Sequence, residues 1–400
     1  MRRVILYNPH MDNWYARSLC DWLFRKKTIS KYAYILSGLY NEDRLVIFVD
    51  RSRSSFESLG RLRVLFFLLR GRTESILWCL VNHLNPFRIK FVTKKTDLTK
   101  EDRFFLFSYQ NLDFEDAHTK YVDFPCNLFI QLSHFYLDVE HISTNISKSK
   151  IGFLVSESNL NKSSSFYAHF FGNDHDVRIL PFVFSERFKK VQAFAGRNGV
   201  CVALGSLSHT HGNVPRYAAF HKFFKTTYLA PFRKTLYDEK ERLAGSIDVM
   251  IMDPYKGGNT SSSKLLRFLS RFQSLWSSYY SFDIVNILNQ YKMFLVPEEA
   301  TGLPAALFVE GMACGSVYVG DVNRRIYRDF GMREGVHYIG YDASLEDLVE
   351  KVNFYNENTD ILEKIANAGH ELAIREFSRA TNYQRFIELF CEHETNNYRV

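Results

Sequence analysis

The sequence predicts an α/β protein with two domains, each built on a parallel sheet. Two observations point to this fold. The chain has 400 residues, more than one hydrophobic core usually organises, and short apolar runs rich in Val, Ile and Phe recur between segments with helical spacing. Such runs are typical of strands buried on both faces, and their alternation with helices is typical of crossover-connected parallel sheets. Aromatic residues make up 16% of the chain, which supplies ample core material.

The predicted strands fall into two series, separated by a polar, glycine-containing stretch near residues 185–198. The first series comprises residues 4–7, 45–49, 104–107, 151–155 and 177–183. The second series comprises residues 200–204, 249–252, 293–296, 317–319 and 337–339. We therefore expect an N-terminal domain over residues 1–190, a second domain over residues 191–375, and a C-terminal helix over residues 376–400 that packs back on the first domain.

Helix signals are clearest in the last sixty residues. Ser344 and Asp347 form a Ser-x-x-Asp capping box at the start of an apolar periodicity, which predicts a helix beginning there. Two further helices are expected over residues 359–373 and 378–392.

The six cysteines show no spacing typical of a zinc site, so we expect reduced thiols. Asn8 and Pro9 interrupt the first apolar run, which argues against a signal-peptide core and favours a cytoplasmic location. The longest apolar run, residues 64–69, is too short to span a membrane. Asp174-His-Asp176 has the D-x-D form of a metal site, but the sequence suggests no third ligand. We expect no bound metal and no tightly bound cofactor.

Positive charge is concentrated in one stretch. Residues 51–100 contain eleven basic and three acidic residues, a net charge of +8, whereas the other 350 residues have a net charge of −1. Within that stretch, arginines flank the apolar run 64–69. This pattern suits an anionic membrane surface, and it also suits a buried helix with a solvated rim. No nucleic-acid recognition signature accompanies it, so nucleic acid is not an expected partner.

The most informative segment, residues 291–321, predicts a strand, a turn, a helix and a further strand. Pro304 suits the first turn of the helix, Thr301 or Gly302 suits its cap, and Gly315 suits its end. A helix that begins beyond the carboxyl end of a parallel strand presents backbone N–H groups to a diphosphate. A carboxylate further along the helix can accept hydrogen bonds from ribose or sugar hydroxyls. The segment therefore predicts a nucleotide-diphosphate site.

This segment resembles the retaining glycosyltransferases of the GT-B type, the group-1 or family-4-like class with two Rossmann-like domains facing a cleft. Residues 299–304, Glu-Ala-Thr-Gly-Leu-Pro, match the E-x-x-G-L-P half of the class motif, and residues 310–315, Glu-Gly-Met-Ala-Cys-Gly, match the other half. The resemblance implies that Glu299 contacts the donor sugar, that Glu310 holds the ribose, and that the turn of Thr301, Gly302, Leu303 and Pro304 faces the phosphates. The two glutamates are 11 positions apart, whereas eight is usual in the class, and Glu298 is an alternative to Glu299.

Other predicted site residues lie elsewhere in the chain. Gly205 and Ser206 resemble the first donor-domain loop of the class, where backbone groups approach phosphate. His10 follows the first strand and is a candidate acceptor-side base. Three basic residues could neutralise a diphosphate or simply lie on a solvated helix face: Arg216, Lys222 and Lys225.

The function that this resemblance implies is transfer of a hexose-like sugar, with retention, from a nucleotide-sugar to a glycan or lipid-linked acceptor in cell-surface polysaccharide or glycolipid synthesis. The enzyme would lie in the cytoplasm, peripheral to the inner face of the membrane, and would need no metal ion. Two alternatives remain open. One is an epimerase or a fucosyltransferase-like enzyme of the same fold, and the other is a non-catalytic protein that binds the membrane surface.

Overall fold

The computed structural model describes residues 3–7, 32–48, 84–92, 94–208, 214–253, 283–303, 305–324 and 326–396. The chain divides into two compact units. The N-terminal unit comprises residues 1–156, 170–180 and 383–400, and the C-terminal unit comprises residues 157–169 and 181–382. His10, residues 51–83 and Pro304, which the sequence analysis singled out, lie outside the described residues.

The N-terminal unit is built on a parallel sheet that has seven strands in its described part. They are β1 (Val4–Tyr7), β2 (Val46–Phe48), β3 (Lys90–Val92), β4 (Arg103–Leu106), β5 (Asn127–Gln131), β6 (Ile151–Ser156) and β7 (Val177–Ile179). Their order in space is β3-β2-β1-β4-β5-β6-β7, and each neighbouring pair is parallel. Its helices include α1 (Ala33–Asn41) and α2 (Val139–Ser147).

The last helix of the chain, Arg379–Asn396, completes the core of this unit. Phe390 lies 6.0 Å from Phe105, 5.2 Å from Phe129 and 5.4 Å from Phe153, measured between ring centroids. Arg178 donates a hydrogen bond to the carbonyl oxygen of Leu389, at 2.7 Å. Edge-to-face and tilted aromatic packing of this kind adds to the hydrophobic stabilisation of a core, so the last helix stabilises the sheet on which it packs.

The C-terminal unit is built on a second parallel sheet, whose described strands lie in the order β12-β11-β10-β8-β9. These strands are β8 (Asn198–Ser206), β9 (Ile247–Met252), β10 (Tyr291–Leu295), β11 (Val317–Asp321) and β12 (Ile339–Tyr341). Described helices along the rest of the chain are α3 (Leu160–Ser163), α4 (Ser165–Phe171), α5 (Ala218–Phe224), α6 (Pro231–Asp238), α7 (Lys240–Leu243), α8 (Ile284–Gln290), α9 (Leu307–Ala313), α10 (Ile326–Asp329), α11 (Leu345–Glu357), α12 (Thr359–Phe377) and α13 (Arg379–Asn396). Apolar residues of β8 to β12, α11 and α12 form one buried core.

The α/β class and the parallel sheets are confirmed, and all ten predicted strands are present, β1 with the predicted limits and the others with shifted ones. Two strands were missed, β3 and β5. The capping box is also confirmed, because the Ser344 hydroxyl accepts a hydrogen bond from the Asp347 amide at 3.2 Å. In the part of the chain that the structure describes, no helix is long and apolar enough to cross a membrane.

Candidate functional site

The strand order of the C-terminal unit marks one edge of its sheet as the place for a ligand. From β8, the chain moves to β9 on one side and then to β10 on the other. The connections therefore diverge at the carboxyl ends of β8 and β10, and in open parallel sheets this switch point forms the crevice where ligands bind. Gly205 and Ser206 end β8, and Pro297 to Glu299 follow β10. Both groups contain residues that the sequence analysis singled out.

Arg233 joins the two strand ends. It lies near the start of α6, where Pro231 occupies the first turn. Its Nε donates to the carbonyl oxygen of Pro297 at 2.8 Å, and its Nη1 lies 3.4 Å from the carbonyl oxygen of Ser206. Gly205 has φ +133°, and a Cβ there would lie 3.1 Å from Arg233 Nε. Glycine therefore lets the guanidinium lie against the backbone at the switch point.

Glu298 is the buried carboxylate of this edge, with 8% of its surface exposed. Its Oε1 accepts a hydrogen bond from the Tyr327 hydroxyl at 2.7 Å, and its Oε2 lies 3.3 Å from Arg324 Nε. The same nitrogen lies 3.4 Å from Oδ2 of Asp321, the last residue of β11. One guanidinium is thus shared by two carboxylates, and about a third of its side chain is exposed.

Burial raises the pKa of Glu298 to about 7, although Arg324 and the Tyr327 hydroxyl both act to lower it. The desolvation of the charged form therefore outweighs its partners. Burial and the adjacent Glu298 also raise the pKa of Tyr327 well above its usual range, so this hydroxyl stays protonated and donates. A carboxylate that titrates near neutrality at a ligand-binding edge marks a candidate functional site.

The turn after Glu298 is held by its own hydrogen bonds. The Gly302 amide donates to the Glu299 carbonyl oxygen at 3.0 Å, and the Glu299 amide donates to the Leu303 carbonyl oxygen at 3.2 Å. Thr301 is buried, and its hydroxyl lies 3.3 Å from Glu299 Oε2. Gly302 has φ +83°, and a Cβ there would lie 2.6 Å from the carbonyl oxygen of Ser163. Glu299 itself is half-buried.

The expected start of the motif helix is wrong. Helix α9 begins at Leu307, after a turn through Ala306 that caps it without a side-chain hydrogen bond. Neither Thr301 nor Gly302 caps it, and Ala305 is not helical. The expected end is confirmed, because Gly315 follows the helix with φ +72° and its amide donates to the Met312 carbonyl oxygen at 2.9 Å.

Glu310 lies in the first turn of α9 and is half-buried. Burial raises its pKa to about 7, and the charge of Arg187 acts to lower it. It is therefore a second carboxyl group that titrates near neutrality in this unit. Its neighbours Phe308, Val309 and Met312 are buried.

The other basic candidates lie around α5: Arg216 in the turn before it, Lys222 on it and Lys225 directly after it. Lys222 and Lys225 are exposed, and Arg216 is half-buried. Within the described residues, no hydrogen bond or ion pair joins Lys222 or Lys225 to the ends of β8 and β10. Sequence reasoning missed the two arginines that do lie there, Arg233 and Arg324. The sequence offered one signal for Arg324: it stands three residues after Asp321, which ends an apolar run.

The D-x-D segment lies elsewhere, in the N-terminal unit. Asp176 pairs with Arg178 at 2.9 Å, and burial lowers the pKa of His175 below its usual value. Among the described side chains, no group of three or more His, Cys, Asp or Glu residues could hold a metal ion.

The chain resembles known proteins in both sequence and fold. A family model described as "Glycosyl transferase-like" matches residues 233–388, which include Glu298, Glu310 and Arg324. No curated protein sequence matches the chain. The fold is similar to that of HepE from Anabaena, solved in complex with UDP-glucose, with a TM-score of 0.53, 12% identity, and coverage of 98% of this chain and 100% of that one. It is also similar to sucrose-phosphate synthase from Thermosynechococcus elongatus, with a TM-score of 0.52, 8% identity, and coverage of 99% and 100%.

At these identities, the structural likeness concerns the fold. Together with the family match, it confirms the resemblance to group-1-like GT-B glycosyltransferases that the motif indicated.

Proposed function

We propose that the protein is a glycosyltransferase that moves a sugar from a nucleotide-sugar donor to a glycan or lipid-linked acceptor. One observation carries this proposal. The stretch that matches the glycosyl transferase-like family contains Arg233, Glu298 and Arg324, and these residues lie at the two strand ends that form the switch point of the C-terminal sheet. The family match and the ligand-binding edge of the fold thus coincide, and HepE, which has a similar fold, was solved with UDP-glucose.

The chemistry needs positive charge where the leaving group forms. When the bond between the anomeric carbon and the diphosphate breaks, negative charge accumulates on the diphosphate, and preorganised cations and N–H groups stabilise it. Arg233 and Arg324 are suited to this role because a guanidinium can bind phosphate oxygens in a bidentate manner. Gly205 and Ser206 would contribute backbone groups, and Arg216, Lys222 and Lys225 stay secondary candidates.

The motif residues keep the roles that the resemblance implies. In this proposal Glu299 contacts the donor sugar, Glu310 holds the ribose, and the turn of residues 301–304 faces the phosphates. His10 is proposed as the base that takes the proton from the acceptor hydroxyl. We further propose a hexose-like donor, retention at the anomeric carbon, a reaction without a metal ion, and a role in cell-surface polysaccharide or glycolipid synthesis at the cytoplasmic face of the membrane.

The donor is tested by thermal unfolding in the presence of UDP-, GDP-, CMP- and dTDP-sugars and their free nucleotides, because a ligand that binds the folded state raises the unfolding temperature. We expect one nucleotide family to raise it selectively. Arg233→Gln should weaken the binding of that nucleotide about tenfold to a hundredfold, as expected for lost hydrogen bonds to a charged group. Lys240→Gln, which also replaces a positive charge with a neutral amide but at an exposed site, should not weaken it. No shift with any nucleotide would refute the donor site.

Two further measurements separate the alternatives. An epimerase converts the donor without an acceptor, so product analysis with the donor alone distinguishes it from a transferase. A non-catalytic surface-binding protein would keep its function after Glu310→Ala, whereas a transferase that uses this carboxylate for the ribose would lose donor affinity.

A further inference from the structure

Two buried tyrosines form a chain of hydrogen bonds that ends at Glu298. Tyr327 lies on α10 and Tyr318 on β11, and both side chains are buried. Their hydroxyl oxygens lie 3.2 Å apart, and the Tyr327 hydroxyl donates to Glu298 Oε1 at 2.7 Å. A hydroxyl has one hydrogen to donate, so Tyr327 gives its own to Glu298 and accepts that of Tyr318. The chain of hydrogen bonds therefore runs in one direction, from Tyr318 through Tyr327 to the carboxylate.

Strand β11 leaves room for the Tyr327 hydroxyl. Tyr318 and Gly320 stand two positions apart on this strand, so they share one face of the sheet. A Cβ at Gly320 would lie 2.5 Å from the Tyr327 hydroxyl oxygen and 2.9 Å from its Cζ, closer than real atoms pack. The Tyr327 ring also packs against that of Tyr338, with 4.5 Å between the centroids. Glycine in the strand thus allows the close approach that fixes the position of Tyr327.

The two hydroxyls are not needed to fill the core. Phenylalanine at either position would bury the same ring, whereas a buried hydroxyl costs free energy unless it is hydrogen-bonded. Here both hydroxyls are aligned on a single carboxylate oxygen. Such a chain fixes the orientation of the carboxylate, as the supporting residues of a binding site do.

The other oxygen of this carboxylate faces the partly exposed arginine of the site. Glu298 Oε2 lies 3.3 Å from Arg324 Nε, and Asp321 Oδ2 lies 3.4 Å from the same nitrogen. Asp321 is itself held, because its Oδ1 accepts from the backbone and side-chain amides of Asn323, each at 2.9 Å. Within the described residues, Nη1 and Nη2 of Arg324 donate no hydrogen bond. The two carboxylates thus hold the guanidinium at its Nε and leave the Nη pair for phosphate oxygens.

We propose that Tyr327 is a positioning residue for the donor diphosphate, because through Glu298 it fixes the guanidinium of Arg324 at the ligand-binding edge of the C-terminal sheet. Tyr318 supports it by donating to its hydroxyl oxygen. The inference rests on the proposed function, in which Arg324 stabilises the leaving diphosphate. Tyr327 acts only through these two side chains and contacts no donor atom. A guanidinium that is fixed before the ligand arrives loses less freedom on binding, and this strengthens the complex.

The test is isothermal titration calorimetry of the full chain with the nucleoside diphosphate, UDP, GDP or dTDP, that the thermal screen selects. At about pH 6, below the pKa of Glu298, the carboxyl group is mostly protonated in the wild type and in Tyr327→Phe. Tyr327→Phe should weaken binding about fivefold, the scale of one lost hydrogen bond. Tyr318→Phe should weaken it less, because Tyr318 acts at one remove.

The matched control is Tyr291→Phe. It removes a hydrogen bond of the same kind, from the Tyr291 hydroxyl to Asp248 Oδ2 at 2.7 Å, but at the amino ends of β9 and β10. The affinity for the nucleoside diphosphate should not change in this variant. Unfolding temperatures of all variants show that each one is folded.

A double-mutant cycle shows whether Tyr327 acts through the arginine. Arg324→Gln removes the guanidinium, so Tyr327→Phe should have no further effect on affinity in that background. Equal losses with and without Arg324 would mean that the tyrosine affects binding by another route, and the inference would be wrong.

The pH profile of binding is a second readout, which a merely structural role would not move. A bound diphosphate places negative charge near Glu298, so binding should be tighter while this carboxyl group is protonated. Burial raises the pKa of Glu298 to about 7, and the Tyr327 hydroxyl acts to lower it. The affinity should therefore fall as pH rises through about 7, and in Tyr327→Phe it should fall at higher pH.

Each profile is measured relative to the same protein carrying Glu298→Gln, so that the titration of the probe's own phosphate cancels. The other charged or titratable groups around Glu298 are unchanged by Tyr327→Phe. They are Arg324, Asp321, Arg233 and the hydroxyls of Tyr318, Tyr338 and Tyr341.

Three further results would overturn the inference. They are a Tyr327→Phe variant that binds the probe as the wild type does, a pH profile that this substitution does not shift, and an equal loss of affinity in Tyr291→Phe. The proposed function fails in a different way. A wild type that binds no nucleoside diphosphate refutes the diphosphate donor and the positioning role with it, whereas normal wild-type binding with an unaffected Tyr327→Phe refutes only the positioning role.

Discussion

Replacing Glu298 with glutamine should change how the stability of the protein depends on pH. The carboxyl group has a pKa near 4.5 in an unfolded chain and about 7 in the folded protein, where burial disfavours its charged form. Between these two values, the folded state binds more protons than the unfolded state, so the free energy of unfolding falls as pH rises through this window. Each unit of pKa difference corresponds to about 1.4 kcal/mol. The titration of Glu298 therefore lowers the free energy of unfolding of the wild type by roughly 3 kcal/mol as pH rises through this window.

Glutamine has nearly the same shape and can still accept the hydrogen bond from Tyr327, but it does not titrate. The assay is urea unfolding of the wild type and Glu298→Gln at about pH 4 and about pH 8, on either side of the titration window. The free energy of unfolding of the variant minus that of the wild type should be roughly 3 kcal/mol larger at the higher pH than at the lower pH. Glu310 titrates in both proteins, so its contribution cancels in the comparison.

The control is Glu346→Gln, the same chemical change at a side chain that is 77% exposed. It should leave the pH dependence as it is in the wild type. If the stability difference between Glu298→Gln and the wild type were the same at both pH values, desolvation would not dominate at Glu298, and the buried-carboxylate account of this edge would be refuted.

Three other substitutions, one of them with a matched control, probe the packing that positions the site and the sheets. Gly302→Ala should cost about 2 kcal/mol or more in urea unfolding, because alanine is strained at φ +83° and its Cβ would lie 2.6 Å from a backbone oxygen; Gly331→Ala, with φ +66° and open space around the Cβ position, should cost about 1 kcal/mol. Asn145→Ala should cost about 2–4 kcal/mol, since its side chain donates to two carbonyl oxygens and accepts from a backbone amide and alanine leaves those groups without this partner; a change below about 1 kcal/mol would show that solvent replaces them. Phe390→Ala should cost about 3–5 kcal/mol in the same assay, through loss of contact with three core phenylalanines; an unchanged midpoint would mean that the last helix does not stabilise the sheet.

The strands were predictable where burial controls the sequence. Strands covered on both faces leave continuous apolar runs, and β1, β4 and β6 show this pattern clearly. β3 was missed because it lies at the edge of the described sheet, where exposed Lys90 interrupts the apolar run. β5 does carry an apolar run and was not recognised. Its last residue, Gln131, is polar although it is buried, so the apolar run is shorter than the strand.

Sequence patterns predicted the place and the carboxylates of the candidate site, but not its two arginines. The motif identified the segment after β10, because a glycine turn between a strand and a helix leaves a local signature. Arg233 and Arg324 could not be found in this way, since they reach the crevice from α6 and from the end of β11. Only the order of strands in the sheet brings them together, and single-sequence patterns do not contain that order.

The spacing of the motif glutamates shows how structure resolves what a pattern leaves open. The extra residues between Glu299 and Glu310 could lengthen either the turn or the helix, and each residue added to a helix rotates the side chain by about 100°. Helix α9 begins only at Leu307, so the turn takes up the extra length and Glu310 stays within the first helical turn. The turn also separates two adjacent carboxylates: Glu298 is buried against Tyr327 and Arg324, whereas Glu299 is half-buried in the turn itself. Glu298 is therefore suited to position the arginine, and Glu299 stays the carboxylate of the pair that we propose to contact the donor sugar.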